Sequence, residues 1–202
     1  MKTKLEFFYD CSSPWTYLAF SEIEKLANRH DFELIWRPIL VGGVFNSTNP
    51  SVYATRANPV KEKQIYSNKD LQDWCKVRGI EINWPEIFPV NSVKAMRGAL
   101  YALEQNKISE YSSSVFYSYW TEGKDISQKE VLSDLVNTIG LDNSGFFSFI
   151  ELDSTKKALK DNTQELMDRG GFGSPTIYLD ESNMFFGNDR LHLIDELFQV
   201  SP

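Results

Sequence analysis

Strand signals occur only at the two ends of this chain of 202 residues. Near the N-terminus, residues 4–9 have strand composition, residues 15–28 carry apolar side chains at helical spacing, and residues 32–38 alternate apolar and polar side chains like a second strand. These three segments are long enough for a βαβ unit, whose crossover is right-handed in nearly all proteins. The chain therefore opens with two parallel strands joined by a helix.

Strand signals return only near the C-terminus. Residues 175–179 and 184–186 are short apolar runs separated by turn residues, which predicts an antiparallel hairpin. Residues 189–198 follow with the spacing of a last helix. The second half of the sheet is thus a ββα unit.

Between these two halves the pattern is helical. Residues 41–59 are rich in Gly, Asn, Ser, Thr and Pro and predict a long ordered loop or linker. Predicted helices follow at 59–78, 93–104, 110–120, 128–138 and 156–169. The sequence therefore predicts an α/β chain with a thioredoxin-like fold, βαβ…ββα, that carries a large all-helical insertion. Residues 1–45 and 170–202 are expected to form the thioredoxin-like domain, and residues 46–169 the inserted helical domain.

The charge balance argues against a polyanionic partner. Lys and Arg number 21 and Asp and Glu number 28, so the formal net charge of −7 repels a phosphate backbone, although a small basic pocket is still allowed. We therefore expect no nucleic acid partner. No uninterrupted apolar stretch approaches the roughly 18 residues of a membrane span, and the opening residues lack a signal-peptide core. We expect no membrane partner.

The two cysteines, Cys11 and Cys75, show neither CxxC spacing nor the number needed for a disulfide framework. This usage is typical of a reducing compartment, and we expect a cytoplasmic protein. Only His30 and His192 could join them as zinc ligands, and these residues are far apart in sequence. No metal site is predicted.

Three segments carry polar residues that a thioredoxin-like scaffold brings together. Ser13 precedes Pro14 at the start of the first helix, where unpaired N–H groups and the helix dipole favour an anion. Ser174 precedes Pro175 behind a glycine cluster, which favours a turn and allows a cis peptide bond. The last helix opens with the pair Asn188 and Asp189. Helix capping or a turn is a sufficient explanation for each segment taken alone.

As an ordered set, four segments resemble the 2-hydroxychromene-2-carboxylate isomerase family and the similar kappa-class glutathione transferases. They are FFYDCSSPWTYLAF, RPILVGGVFNSTNP, FPVNSVKAMRGAL and GFGSPTIYLDESNMFFGNDRL. The resemblance extends over nearly the whole chain. It implies the DsbA-like branch of the thioredoxin fold and a glutathione-dependent enzyme.

The resemblance implies that Ser13 is the catalytic residue. Ser13 holds the position where DsbA-type oxidoreductases keep their nucleophilic cysteine, and Thr16 holds the position of the resolving cysteine. The chain therefore has no CxxC disulfide to cycle at this place. The expected role of Ser13 is to stabilise the thiolate of glutathione, and Cys11 is expected to pack in the core.

The resemblance also implies the binding residues. The expected contacts with glutathione are the Ser174 backbone beside Pro175 for the cysteinyl part, Asn188 and Asp189 for the γ-glutamyl end, and the loop residues Asn49 and Lys63. The FPVNS stretch resembles the family's substrate wall and adds Asn91. By residue type, Trp15, Phe45, Trp84 and Phe88 are expected to line an apolar pocket for a planar substrate, with core packing as the alternative for each.

Taken together, these residues lead to the expectation of a glutathione-dependent isomerase of the 2-hydroxychromene-2-carboxylate type. In that reaction the thiolate adds reversibly to a conjugated substrate from an aromatic pathway. A kappa-type transferase or peroxidase is the close alternative, and a non-catalytic thioredoxin-fold binding protein is a further one. Hydrolysis by a Ser-His-Asp triad is a remote alternative, because neither histidine has a nucleophile-elbow motif nearby. The family resemblance also implies a homodimer.

Overall fold

A computed structural model describes residues 2–199. Its sheet has four strands in the order β2-β1-β3-β4: β1 is Lys4–Tyr9, β2 Glu33–Pro38, β3 Thr176–Leu179 and β4 Asn183–Phe186. β1 pairs in parallel with β2 and antiparallel with β3, and β3 pairs antiparallel with β4. The two ends of the chain thus form one mixed sheet, which confirms the predicted thioredoxin-like order.

Helix α1, Pro14–Arg29, covers the sheet and joins β1 to β2. It begins where the sequence predicts, because Ser13 caps it and Pro14 follows in the first turn. Proline has no N–H, and an N–H at this position would have no partner within the helix. The last helix, α10, Arg190–Gln199, and helix α4, Lys61–Arg78, both pack against α1. The N-terminus of α1 therefore lies at the end of β1, where further segments can reach it.

The prediction of a loop over residues 41–59 is wrong. This segment forms two short helices, α2 at Val41–Ser47 and α3 at Ser51–Ala57, separated by Thr48 to Pro50. The composition disfavours helix, but α2 buries Val41 and Val44 and packs against a later helix, so tertiary contacts override the local propensity.

The other helices are close to their predicted bounds, with one omission. They are α5 Val93–Glu104, α6 Ile108–Phe116, α7 Lys129–Thr138, α8 Asn143–Ile150 and α9 Asp153–Asp168, and α6 continues as a π-helical turn over Tyr117–Thr121. The sequence prediction lacked α8, which is short and contains Gly145 and three phenylalanines. Asp142 starts it by accepting hydrogen bonds from the Ser144 and Gly145 N–H groups.

The sheet and the helices bury two apolar clusters, a large one and a smaller one formed by Phe8, Ile39, Val44, Leu166 and Tyr178. Trp120, Tyr9, Phe116 and Phe7 are among the largest fully buried side chains of the large cluster. The Tyr9 hydroxyl lies 2.7 Å from the Ser112 Oγ, which ties β1 to α6. Within residues 2–199, the structure has no helix that is both long and apolar enough to cross a membrane. The division into a thioredoxin-like and a helical domain stays a prediction.

Candidate active site

Ser13 occupies the N-cap of α1, with extended backbone angles of φ −108° and ψ 124°. Its Oγ accepts a hydrogen bond from the Thr16 N–H at 3.3 Å and donates one to the Ser174 carbonyl at 3.3 Å. The side chain is partly buried and lines a cleft. The capping role is therefore real, and the same hydroxyl also faces a cavity next to Ser174.

Ser174 lies beside Ser13 because β3 pairs with β1. Its hydroxyl accepts a hydrogen bond from the Asp10 N–H at 3.0 Å and lies 2.8 Å from the Thr16 Oγ1. The peptide bond between Ser174 and Pro175 is cis. These contacts hold the strand that begins at Pro175 directly against the start of α1.

Asp10 is a buried acid at this junction that the sequence reasoning did not assign. Its carboxylate accepts hydrogen bonds from the Ser12 N–H at 2.9 Å, the Val41 N–H at 2.9 Å and the Ser92 hydroxyl at 3.0 Å. Burial raises the pKa of this carboxyl, although the hydrogen bonds oppose the rise. No local pattern in the sequence singles out Asp10, because the preceding strand β1 already contains the charged residues Lys4 and Glu6.

The cleft in front of Ser13 has a volume of about 1270 Å³. Such a volume is large enough for a tripeptide and a small planar molecule together. Nine residues predicted for the site line the cleft: Ser13, Trp15, Phe45, Asn49, Lys63, Trp84, Phe88, Asn91 and Ser174. The structure therefore brings together residues that span more than 160 positions of the chain.

The other three predicted residues, Pro175, Asn188 and Asp189, are not among the described residues that line the cleft. The Pro175 carbonyl accepts a hydrogen bond from the Gly187 N–H at 3.2 Å, which places the start of α10 next to β3. Asn188 is buried, and its Oδ1 has no hydrogen-bond partner among the described residues. The half-exposed Asp189 carboxylate lies 3.2 Å from the Arg190 guanidinium.

Two predicted asparagines make local hydrogen bonds. The Asn49 amide donates to the Phe172 carbonyl at 3.3 Å and accepts from the Ser51 hydroxyl at 2.8 Å. Asn91 accepts from the Val93 N–H at 3.1 Å and so supports the first turn of α5. Both residues are at the cleft, but these contacts alone are those of turn and helix-start residues.

Aromatic side chains form much of the cleft wall. The Trp84 and Phe88 rings pack against each other with centroids 5.2 Å apart, and both contact buried Trp120. The Trp120 indole N–H in turn donates to the Cys11 carbonyl at 2.8 Å. This wall is therefore anchored to the segment that carries Ser13.

Two basic residues, Arg56 and Lys63, are the charged side chains among the described residues that line the cleft. The charge of the cleft therefore differs in sign from the net charge of the whole chain, which favours anionic ligands. The sequence reasoning assigned Lys63 but not Arg56.

The remaining reactive side chains lie elsewhere. Cys11 is fully buried, and burial raises the pKa of its thiol well above the ordinary value, so it is a packing residue rather than a nucleophile. His30 Nε2 lies 2.6 Å from the Asp195 carboxylate, and His192 stacks on Trp74. Neither histidine is among the described residues that line the cleft. A Ser-His-Asp triad would therefore have no histidine base beside Ser13. In residues 2–199, no group of three or more His, Cys, Asp or Glu side chains is placed to hold a metal ion.

Comparison with known proteins identifies similar chains of the same size. The chain is 28% identical to a 2-hydroxychromene-2-carboxylate isomerase of Pseudomonas putida over 95% of this chain and 92% of the relative. It is 26% identical to a glutathione S-transferase kappa 1 of Homo sapiens over 96% of this chain and 89% of the relative. A solved structure of a 2-hydroxychromene-2-carboxylate isomerase superposes with a TM-score of 0.80 at 26% identity, covering 96% of this chain and 94% of that one.

These findings confirm the resemblance and the fold that the sequence predicts. The similar proteins are isomerases and transferases, which confirms the prediction of an enzyme. The family model described as the DSBA-like thioredoxin domain matches residues 4–199. Because that match covers nearly the whole chain, the protein belongs to the DsbA-like thioredoxin-domain family.

Proposed function

We propose that this protein is a glutathione-dependent isomerase that acts on 2-hydroxychromene-2-carboxylate or a related conjugated compound from aromatic catabolism. The observation that carries the proposal is the position of Ser13. Its hydroxyl caps α1, faces a cleft of about 1270 Å³ and lies within hydrogen-bond distance of the Ser174 carbonyl. The similarity to isomerases over 95% of the chain supports the same reaction.

The residues of the cleft fit glutathione. It is a peptide with two carboxylates, and its backbone can pair with the backbone of Ser174, which lines the cleft just before β3. Lys63 supplies a cation for a carboxylate, and Asn49 an amide, in a cleft whose described lining contains no acidic side chain. When bound there, glutathione supplies a thiolate nucleophile that adds reversibly to the conjugated substrate and is not consumed.

Asn188 and Asp189 are proposed to hold the γ-glutamyl end. The Asn188 Oδ1 is buried without a partner among the described residues, so a donor such as an ammonium group would satisfy it. Asp189 offers a carboxylate of the right charge one residue later. A rearrangement of the Gly187 turn would be needed to expose both groups to the cleft.

Ser13 is proposed to keep a neighbouring sulfur ionised. Its 3.3 Å bond to the Ser174 carbonyl is long for a hydroxyl donor, so the O–H can turn toward a stronger acceptor. A thiolate at the N-terminus of α1 would accept that hydrogen bond and also lie at the positive end of the helix dipole. Each unit of pKa depression corresponds to about 1.36 kcal/mol in favour of the charged form.

The test is the variant Ser13→Ala. We expect glutathione bound to the wild type to titrate about one to two units below the free thiol value of about 8.5, because two favourable interactions act on the thiolate. In Ser13→Ala the hydroxyl contribution is lost, so the bound thiol should titrate at least one unit higher and turnover should fall at least tenfold. Thiolate absorbance across pH and calorimetric titration of glutathione measure both quantities.

The matched control is Ser12→Ala. Ser12 is the neighbouring serine and lines the same cleft, and its backbone N–H bond to Asp10 does not depend on the side chain. We expect glutathione bound to Ser12→Ala to have the same thiol pKa as glutathione bound to the wild type. Equal thiol pKa values in wild type and Ser13→Ala would contradict the proposed role, and the absence of glutathione binding to wild type would contradict the proposed function.

A kappa-type glutathione transferase is the second candidate, because the human kappa relative covers 96% of this chain. The same thiolate site serves both reactions. Product analysis separates them: an isomerase returns glutathione after converting a chromene, whereas a transferase forms a stable adduct with an electrophilic aryl halide. Glutathione binding without turnover of either compound would contradict both candidate reactions.

We also propose a homodimer in a reducing, cytoplasmic setting. Both cysteines are free and buried, which supports the compartment. The exposed apolar side chains Ile65 and Tyr66 on α4 support an association surface. Light scattering measures the mass directly.

A further inference from the structure

Arg56 lies where the two walls of the cleft approach each other. It belongs to the last turn of α3, and its guanidinium carbon lies 5.4 Å from the Phe45 ring centroid and 5.4 Å from that of Phe88. Phe45 comes from α2 and its ring lies near Gly173, whereas Phe88 contacts buried Trp120. One guanidinium therefore bridges the β3 side of the cleft and the opposite aromatic wall.

The charge of Arg56 is not neutralised by an acidic side chain of the described residues. Five other arginines there have a carboxylate within ion-pair distance, namely Arg29, Arg37, Arg78, Arg169 and Arg190. Arg56 instead faces two aromatic rings, and the described lining of the cleft contains no Asp or Glu. An anion that enters the cleft would be the first to pair with its donors.

The ring contacts orient the guanidinium without using its hydrogen bonds. Cation–π contacts act on the face of an aromatic ring, so the N–H groups of the planar fork stay free to bind two oxygens of one carboxylate. The two rings restrict the motion of the Arg56 guanidinium before any ligand binds. The guanidinium therefore loses less conformational entropy on binding. Arg56 is thus arranged to recognise a carboxylate attached to a flat, apolar molecule.

We propose that Arg56 is a specificity-determining residue that binds the carboxylate of a planar conjugated substrate and selects it over uncharged analogues. The identity of the reaction rests on the proposed function, but recognition of the carboxylate does not. Glutathione also carries carboxylates, and binding measured with and without glutathione separates the two sources. Arg56 contacts Phe45 and Phe88, two residues predicted for the substrate wall.

The test uses binding rather than turnover. Coumarin-3-carboxylate, a fluorescent planar anion, and its uncharged carboxamide are titrated into the protein with and without glutathione, and glutathione is titrated alone. The proteins are wild type, Arg56→Gln, Arg56→Lys and Lys63→Gln. Circular dichroism and thermal unfolding check that each variant is folded, which we expect because both side chains are exposed.

We expect Arg56→Gln to weaken binding of the carboxylate about 10- to 100-fold, the range of a charge-assisted hydrogen-bond pair, and to change the carboxamide less than threefold. Arg56→Lys keeps the charge but lacks the planar guanidinium fork. Its affinity for the carboxylate should therefore lie between those of wild type and Arg56→Gln. Lys63→Gln should weaken the binding of glutathione and leave the preference for carboxylate over carboxamide unchanged.

Two results would overturn the proposal. Equal losses for carboxylate and carboxamide would make Arg56 a packing residue of the cleft wall. A loss confined to glutathione would assign Arg56 to the tripeptide. Because the coumarin titrations without glutathione do not depend on isomerase activity, failure of the proposed function would leave this result readable.

Discussion

At the scale of single residues, the cleft depends on one buried carboxylate. Asp10 is 1% exposed and accepts hydrogen bonds from three segments that meet at the cleft, through Ser12, Val41 and Ser92. Its own N–H donates to the Ser174 hydroxyl, so a fourth segment is attached to the same residue. A buried acceptor with this many partners is costly to alter, because each partner loses its bond inside the protein.

We expect Asp10→Asn to disturb the cleft more than its small change in shape implies. One oxygen becomes an amide nitrogen, which would face the N–H of Ser12 or Val41, donor against donor. The free energy of unfolding should fall by about 2–3 kcal/mol, and glutathione affinity should fall at least tenfold. Urea unfolding and calorimetry measure the two effects.

Ser92→Ala is the matched control for Asp10→Asn. It removes one hydroxyl from the same carboxylate and leaves both backbone bonds, so the loss should be about 1 kcal/mol. If Asp10→Asn were no more harmful than Ser92→Ala, the carboxylate would not be organising the cleft.

The sequence identified the residues of this site that belong to recognisable segments, and it missed those defined by contacts across the chain. Ser13 and Ser174 each precede a proline, which is visible locally. Asp10 and Arg56 have no local signature: the partners of Asp10 include residues 31 and 82 positions away, and Arg56 faces a ring 32 positions away. Such roles depend on tertiary structure, which residue spacing alone does not encode.

At the scale of elements, long periodic helices were predictable and short ones were not. Helix α5 has the predicted bounds, Val93–Glu104, because its apolar residues repeat at helical spacing. Helices α2 and α3 have seven residues each, too few for a period to show, and α3 buries none of its side chains. Composition favoured a loop there. Packing of Val41 and Val44 accounts for α2, but no burial accounts for α3.

Helix α5 makes a close approach that can be tested. Gly98 is buried where α5 meets α6 and α8, and a Cβ at this position would overlap the Tyr111 hydroxyl and lie 2.5 Å from the Phe146 ring. We expect Gly98→Ala to destabilise the fold by about 1–3 kcal/mol, because overpacking exceeds the gain in helix propensity. Thermal and urea unfolding measure the change.

Gly42→Ala is the matched control, since Gly42 is also helical and a Cβ there would meet no atom within 4 Å. It should be neutral or stabilising by up to about 1 kcal/mol. Equal effects at the two glycines would show that the interface among α5, α6 and α8 has room for a methyl group.

At the scale of the whole molecule, an ion-pair network joins the sheet to the helical segment. Glu6 of β1 is 4% exposed and binds Arg37 of β2 and Arg169, the residue that ends α9. Arg169 also lies 3.9 Å from the centroid of the Tyr178 ring on β3. The sequence predicted the strands and α9 but not this network, because charged residues so far apart give no pattern along the chain.

The network makes stability depend on pH in a defined direction. Burial acts to raise the pKa of Glu6, but hydrogen bonds and charges from Arg169 and then Arg37 hold the pKa below its ordinary value of 4.5. The native state therefore binds the Glu6 proton less tightly than the unfolded state. The resulting stabilisation is present above the unfolded pKa and is lost as the pH falls through the lowered folded pKa.

We expect Arg169→Gln to lower the free energy of unfolding by about 2–4 kcal/mol at pH 7, because it leaves a buried carboxylate with one of its two cations. The difference from wild type should narrow as the pH falls below 4.5 and through the lowered folded pKa of Glu6, where the native protein takes up the proton. Urea unfolding at a series of pH values measures this difference.

The control is Lys157→Gln, which removes an exposed ion pair with Asp161. It should lower the free energy of unfolding by less than about 0.5 kcal/mol. A difference between wild type and Arg169→Gln that stays constant with pH would mean that Arg169 stabilises the fold through its contact with Tyr178 and not through the charge of Glu6.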